Sequence, residues 1–528
     1  MASQVATDVP GREVLLAEVL SRCRLAATAT TLMTDTFFIL GDQLSFEVDP
    51  WPTLPRDTVI LMIESNQLIA KPRHLTRVAL YLASMRQFAT EARTRGYVVD
   101  YRVARNFTEG LTAHRTQFQP TRIFMNEPRG RRARTLFSRC DIDQLPDPFY
   151  LTDVADFRQR AKQPATLESF QREQRQRLNV LMHDDKPVGG QWNFDLNNRE
   201  PLPRDGGSWP APWSAPVSAE ERALISELSA THVGDDALMF WPRNRDQALE
   251  QLQDAVTRII PRFGPHEDAA SADNWHLAHS RLSPALNMGL LHPREVIDAV
   301  VEGYENGAIP LPSAEGFIRQ VLGWREWVWL LHHLRSDAYD ENNYFHAQEN
   351  LPVAWRDMSG HPMRCIDGVL SHLRHYGWNH HIERLMILAN AATLAEVNPR
   401  SFSNWMIDSY VDGAEWVMEA NVIGMGTFAD GGQTSTKPYI GGGNYISKMT
   451  NYCKGCAFSP TERTGDKACP LTTLYWDFLI RNEALLAPVH RLAPQRRAAL
   501  ARHDRVEIQE QAPRAREIIL RGHIATND

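Results

Sequence analysis

Cys453 and Cys456 form a Cys-x-x-Cys pair, Cys469 follows after twelve residues with Pro470 behind it, and Cys365 stands upstream. Four thiolates suit tetrahedral zinc or a [4Fe–4S] cubane, and a Cys-Pro often ends iron–sulfur ligand sets. Zinc sites come more often as two Cys-x-x-Cys pairs, so the spacing leans to the cubane. A redox dithiol is the third reading, although no strand of a thioredoxin-like unit precedes the pair. His380-His381 opens an amphipathic stretch, HHIERLMILANAATL. An imidazole near neutrality is a fit general acid, while adjacent histidines taken alone are usually structural. His279-Ser280-Arg281-Leu282-Ser283-Pro284 places hydroxyls and amides at a helix start, which makes either a phosphate cradle or an ordinary cap. Gln320, Trp324, Arg325 and Glu326 share one helical stretch, whose plain reading is an amphipathic core helix with a solvated Arg–Glu pair. Residues 412–445 mix Asp412, Trp416, Asn421, Lys437, Tyr439 and Tyr445 with clustered glycines, a pattern for close backbone approach to something flat or to another chain.

These groups need scaffolds of two kinds. From 36–40 (TFFIL), 58–63 (TVILMI), 97–103 and 122–125, short buried strands alternate with helical stretches at 72–95, which Gly96 ends, and 131–137. That alternation predicts a parallel sheet covered by helices, with ligands expected beyond the carboxyl ends of the strands, at Gly41-Asp42-Gln43-Leu44 and Glu64-Ser65-Asn66. Asp42 as a simple helix cap is the alternative. No GxGxxG follows a strand and no GxxxxGK[ST] occurs, which argues against ordinary dinucleotide or P-loop binding. Residues 184–216 are dense in Pro, Gly, Asn and Trp and read as a long functional or linking loop. Beyond them strand signals nearly vanish, and helices are expected at 246–260, 294–307, 316–334, 380–396 and 403–412. The divisions are 1–34 as an extension (with Met33 a plausible start), 35–155 as an α/β Rossmann-like domain, 156–217 as linker and loop, 218–500 as a large all-α domain, and 501–528 as a helical, solvated tail.

With 43% apolar, 23% charged and 9% aromatic residues among 528, the chain is globular in composition, which excludes a disordered, collagen-like or disulfide-stapled polypeptide. The net charge of −7 means that a nucleic-acid partner needs a local basic face. Arg129-Gly-Arg-Arg-Ala-Arg134 is expected to be a solvated helix face rather than that surface, and Gln191 adds no charge to the long loop. No apolar run reaches the ~18 residues that would span a membrane. The N-terminal segment is a poor secretory signal, so a soluble, cytoplasmic monomer is expected.

Leu40-Gly-Asp-Gln-Leu-Ser45, Val188-Gly-Gly-Gln-Trp-Asn-Phe-Asp195, His279–Pro284, Gly323-Trp-Arg-Glu326, His380-His381, Asn421-Val-Ile-Gly-Met425, Thr436-Lys-Pro-Tyr439 and the four cysteines occur together and in order. From about 35 to 500 the chain thereby resembles the iron–sulfur bacterial cryptochromes and photolyases, the prokaryotic (6-4) photolyase branch of the cryptochrome/photolyase superfamily. The resemblance implies an antenna domain binding 6,7-dimethyl-8-ribityllumazine near Gly41, Asp42 and Leu44. It further implies an all-α domain holding FAD, and a [4Fe–4S] cluster on Cys365, Cys453, Cys456 and Cys469. FAD phosphates would lie near Ser280, Arg281, Leu282 and Ser283, with Gln320, Trp324, Arg325, Asp412 and Asn421 around the cofactor. His381 would be the acid in the reversal of (6-4) photoproducts in UV-damaged DNA by an electron from excited reduced flavin. His380 and Tyr439 would position lesion or proton. Trp405 would begin an electron-transfer chain, with Trp355 a candidate beyond it because Met406 replaces an expected aromatic. Met62 and Gln67 stand where relatives often carry Cys and Glu, and Met418 where some carry an acid near the flavin N5. A blue-light photoreceptor with the same cofactors is the runner-up reading, and a zinc-stabilised structural or RNA-binding protein the third.

Overall fold

A computed structural model describes residues 34–160 and 166–521 of the chain. Residues 1–33 of the expected extension, with the alternative start at Met33, lie outside the described residues, as do 522–528 of the tail. Five strands, β1 (Thr36–Phe38), β2 (Val59–Ser65), β3 (Val98–Ala104), β4 (Ile123–Asn126) and β5 (Asp143–Leu145), form one sheet in the order β3-β2-β1-β4-β5. Every pairing is parallel. β1, β2 and β4 are buried along their whole length, as central strands covered on both faces must be. The order reverses at β1, so the crevice beyond its carboxyl end, where Gly41 and Asp42 sit, is the topological switch point.

The helix over Leu75–Thr94 covers one face with Val78, Ala79, Leu82, Met85 and Ala89, and Gly96 follows it at φ +90. Two elements escape the sequence reading. Helix Phe107–Phe118 centres on Gly110, a poor helix former, yet a Cβ there would lie 2.8 Å from Ile63 Cδ1, so close packing on β2 requires the glycine. β5 is a short, polar edge strand with little pattern to read.

Beyond the long loop the described residues form helices, several interrupted by π-helical turns. Those at Arg319–Arg325, Glu383–Ala389 and Glu419–Gly426 carry Gln320, Arg384 and Asn421 respectively. Such turns re-aim side chains and gather at functional sites.

Two surface expectations fail. The basic run at 129–134 is not a solvated face: Arg129 is 1% and Arg131 8% exposed. Arg129 pairs with Asp147 at 3.0 Å, and Arg131 pairs with Glu419 at 2.9 Å and donates to the His332 carbonyl. These arginines lock the sheet region onto the helices. The C-terminal stretch is helical, Arg505–Arg521, but it buries Ile508, Ala512, Ala515 and Ile519 against helix Pro470–Arg481 and is not wholly solvated.

Burial raises the Glu419 carboxyl to about 7, against the pull of Arg131. A folded value above the unfolded one means that proton uptake favours the folded state. This contribution is complete below about pH 4.5 and is lost as pH rises through 7. Glu419→Gln is therefore expected to flatten the fall in melting temperature between pH 5 and 8, measured against wild type; parallel curves would contradict it.

Candidate functional site

Asp412 is a hub. Arg384 holds it bidentately, Nη1 to Oδ1 at 2.9 Å and Nη2 to Oδ2 at 3.0 Å. The Ser283 hydroxyl donates to Oδ2 at 2.7 Å and the Asn287 amide to the Asp412 carbonyl at 3.0 Å. Arg384 also lies over the Tyr410 ring, 4.1 Å from its centroid. Asp412, the 280–283 segment and the His381 stretch thus meet. Arg384, which the sequence reading did not single out, makes the junction; its position three residues after His381 was the available signal.

Arg281 is the anomaly of this region. It is 2% exposed at φ +59, its guanidinium lies 5.2 Å from the Trp275 centroid, and Nη1 donates a long hydrogen bond to the Phe240 carbonyl at 3.3 Å. Its Nε is buried with no acceptor, and among the described residues no carboxylate pairs with it; desolvation pulls the group down to about 9. Asp254 offsets the burial without pairing, and a buried cation that no carboxylate contacts is costly, so an anionic ligand fits here. Helix Ser283–Met288 begins beside it with no side chain capping its first amides.

Three imidazoles, His279, His380 and His381, bring nitrogens within 4.8 Å of one another. His279 stacks on His380 at 4.3 Å between centroids. His380 is 1% exposed, neither ring nitrogen has a hydrogen-bond partner, and burial keeps its pKa well below the usual value. Burial likewise lowers His279 to about 3. His381 differs: its side chain is 43% exposed and Nε2 lies 3.8 Å from the Asp268 carboxylate, a partner for an imidazolium. Two histidines are thus held neutral and one faces solvent beside an acid. Glu267, next to Asp268, is raised to about 6 by burial and accepts from Gln320 Nε2 at 2.7 Å, which places Gln320 at this pocket.

Tyr439 and Tyr445 close the other side, both phenols raised by desolvation and both within electrostatic reach of Asp268 and Arg199. The long loop therefore rims the pocket. It is pinned by Asp195 to Arg319 at 2.6 Å, by the Phe194 amide to Glu315 at 3.2 Å, and by Asn198 to the Pro312 carbonyl. Between these anchors Leu196 projects, 91% exposed.

Trp324 and Arg325 are placed elsewhere. The Arg325 fork is spent on Glu326 and the Phe149 carbonyl, and its guanidinium lies over Tyr150. Glu326 in turn accepts from the Leu151 and Thr152 amides, while Trp324 packs on the Tyr150–Trp329 cluster. The ion pair expected to be solvated is instead buried in the clamp between the sheet region and the helices. Asn421 sits in its π-helical turn, with a partly exposed side chain.

From Tyr410 an aromatic chain continues to Trp405 at 6.3 Å and to Trp355 at 5.8 Å between centroids. Met406 is buried and Trp355 fully so.

Cys365 is the second residue of helix Arg364–Tyr376, and Cys469 is the N-cap of helix Pro470–Arg481. Burial, then the other three sulfurs, raises Cys365 well above its usual value, and burial raises Cys453 to about 11. That is opposite to a reactive dithiol. Tyr452, beside Cys453, donates to the Glu383 carboxylate two residues after His381. Glu383 also accepts from Asn379 at 2.9 Å.

At the switch point the Asp42 carboxyl is raised by burial and opposed by Arg129, and a Cβ on Gly41 would lie 2.9 Å from Met85 Sδ. Leu44 is 1% exposed, its amide bonded to the Met288 carbonyl at 2.8 Å, so it joins the sheet region to the helices. Met62 is wholly inside the core and Gln67 is exposed.

A (6-4) photolyase of Agrobacterium fabrum (strain C58 / ATCC 33970) is 36% identical over 479 residues, covering 87% of this chain and 94% of that protein. The chain belongs to the (6-4) photolyase family. The family described as deoxyribodipyrimidine photo-lyase-related protein matches residues 37–237, the sheet region and the long loop. The photolyase fold recurs in solved structures. A bacterial class III photolyase from Agrobacterium tumefaciens superposes with TM-score 0.56 at 15% identity, covering 94% of this chain and 99% of that one. An archaeal photolyase from Sulfolobus tokodaii gives 0.51 at 16% identity, covering 79% and 87%. The sheet-plus-helices architecture expected from the sequence is thus the photolyase fold, and among the described residues no helix is long and apolar enough to cross a membrane.

Proposed function

We propose that this protein is a light-driven DNA-repair lyase that reverses (6-4) pyrimidine photoproducts, with FAD as cofactor and His381 as the acid. One observation carries the reading: on a single turn, His381 faces solvent beside Asp268 while Arg384 grips the Asp412 hub. The lesion's proton donor and the cofactor's polar wall are thereby fixed on one rigid element. Bound FAD supplies a photoexcitable one-electron donor. Arg281 and the 280–283 amides would hold its diphosphate, and Asp412, Asn421 and Gln320 its polar groups; the orphaned Arg281 charge supports this. His381 presents a proton to the group that moves between the two bases. His380, kept neutral, orders His381 from below, and Tyr439 with Tyr445 encloses the lesion and excludes water. Arg199, Lys437 and Arg491 supply the local basic rim that a chain of charge −7 needs. Leu196 is an apolar wedge of the kind that holds a base step open.

Desolvated, mutually influencing thiols at two helix N-termini support a metal cluster on Cys365, Cys453, Cys456 and Cys469, since a cationic cluster and two helix dipoles stabilise the thiolate form. The lumazine antenna is assigned to the switch point at Gly41 and Asp42.

Repair and flavin photoreduction separate by mutation. Trp405→Phe is expected to slow light-driven reduction of the oxidised flavin by roughly tenfold or more, while chemically reduced enzyme repairs at the wild-type rate. Unchanged photoreduction would remove Trp405 from the path. The overall reading is tested by irradiating reduced protein with (6-4) DNA under blue light.

A further inference from the structure

A cavity of about 280 Å³ opens beside the histidine pocket, and no step above uses it. Met386, Tyr445, Tyr475 and Trp476 form its walls, the Gly441–Gly442 backbone its floor, and no charged side chain lines it. The floor is rigid, because the Gly441 amide donates to Asn390 Oδ1 at 3.0 Å and its carbonyl accepts from Asn390 Nδ2 at 2.8 Å. A Cβ on Gly441 would stand at ordinary contact distance, 3.6 Å from Met386 Cε and 3.7 Å from Tyr445 Cβ, so the floor meets these two walls. Trp476 is set by Tyr475 at 5.1 Å and 73° and by the Arg502 guanidinium 4.5 Å from its centroid. Tyr445 is a wall shared with the lesion pocket.

We infer that this cavity receives the nucleobase adjoining the lesion, turned out of the stack and held among the aromatic rings. The walls are flat and uncharged, which suits a base and excludes its phosphate. The phosphodiester would run outside, past the basic rim. Stacking on aromatic side chains tolerates any base, and a base beside a lesion has already lost part of its stacking. The inference rests on the repair reading and adds to it a subsite for undamaged sequence.

The test measures dark binding of flavin-loaded holoenzyme to a (6-4) dinucleotide, and to trinucleotides carrying one further base on the 5′ or the 3′ side. One trinucleotide is expected to bind about tenfold tighter than the dinucleotide. An abasic sugar at that position should lose the gain. Trp476→Leu should lose it too while binding the dinucleotide as wild type does, and Tyr475→Phe, which keeps its ring, should retain most of it. 2-Aminopurine at the same position should be quenched by wild type and not by Trp476→Leu. An abasic flank that binds as tightly as a base overturns the inference, as does a Trp476→Leu variant that keeps the full gain. If that variant does not fold, the abasic and 2-aminopurine arms on wild type decide. Wild type that binds neither oligonucleotide overturns the repair reading itself, an outcome distinct from the other two.

Discussion

Replacing His381 with asparagine lowers light-driven repair by about 100-fold or more, the usual worth of a positioned general acid, while flavin content and lesion binding stay near wild type. The expectation follows from the division among three neighbouring imidazoles. His279 and His380 are buried and held neutral by desolvation, so neither offers the second, acidic proton of an imidazolium. Of the three, His381 alone is open to solvent, with the Asp268 carboxylate 3.8 Å from its Nε2. His380→Asn should weaken repair less, because His380 supports the ring of its neighbour and does not supply the proton. The measurement is repair quantum yield with flavin absorbance as the control for folding. Equal losses in both variants, or full activity in His381→Asn, would mean that the proton comes from elsewhere, with Tyr439 the next candidate.

Cys453→Ala yields protein that is insoluble or depleted of flavin, with a melting temperature lower by roughly 10 °C or more when it can be purified, since structural metal sites contribute folding free energy outright. The proposed four-thiol site would tie helix Arg364–Tyr376, the 453–456 loop and helix Pro470–Arg481 together. Tyr452, next to the lost ligand, anchors Glu383 on the turn that carries His381 and Arg384, and Asn379 links the same carboxylate to Tyr410. Loss of the staple therefore loosens the Asp412 hub as well as the local loop. Iron and acid-labile sulfide per chain, read together with flavin content, check this. A soluble, flavin-loaded Cys453→Ala protein lacking iron would show that the thiols are not structural.

How far the sequence reached depends on the range of the forces involved. Strands such as 58–63 were legible because burial on both faces leaves a continuous apolar run, a purely local signature. The cysteines and His380-His381 stood out in the sequence because ligand and acid chemistry restricts residue type; their roles belong to the proposal. The Asp412–Arg384 pair was half legible: both residues lie in noted stretches, but their meeting is a tertiary event. The arginines at 129–134 were misread because their partners, Asp147, Glu419 and His332, lie far off in the chain, and an arginine's burial is set by those partners rather than by its neighbours. The Arg325–Glu326 pair was read as solvated for the same reason, the Phe149 carbonyl and Tyr150 being the groups that claim Arg325. The π-helical turns that aim Gln320, Arg384 and Asn421 leave no periodicity to read.

Chromatography of a (6-4)-containing oligonucleotide, incubated anaerobically with the reduced holoenzyme in blue light and in darkness, bears most directly on the proposal. Conversion to the intact dipyrimidine in light alone is the expected result. An unrepaired oligonucleotide that is nonetheless bound, by protein with its full complement of reduced flavin, would contradict it and leave a photoreceptor as the better description.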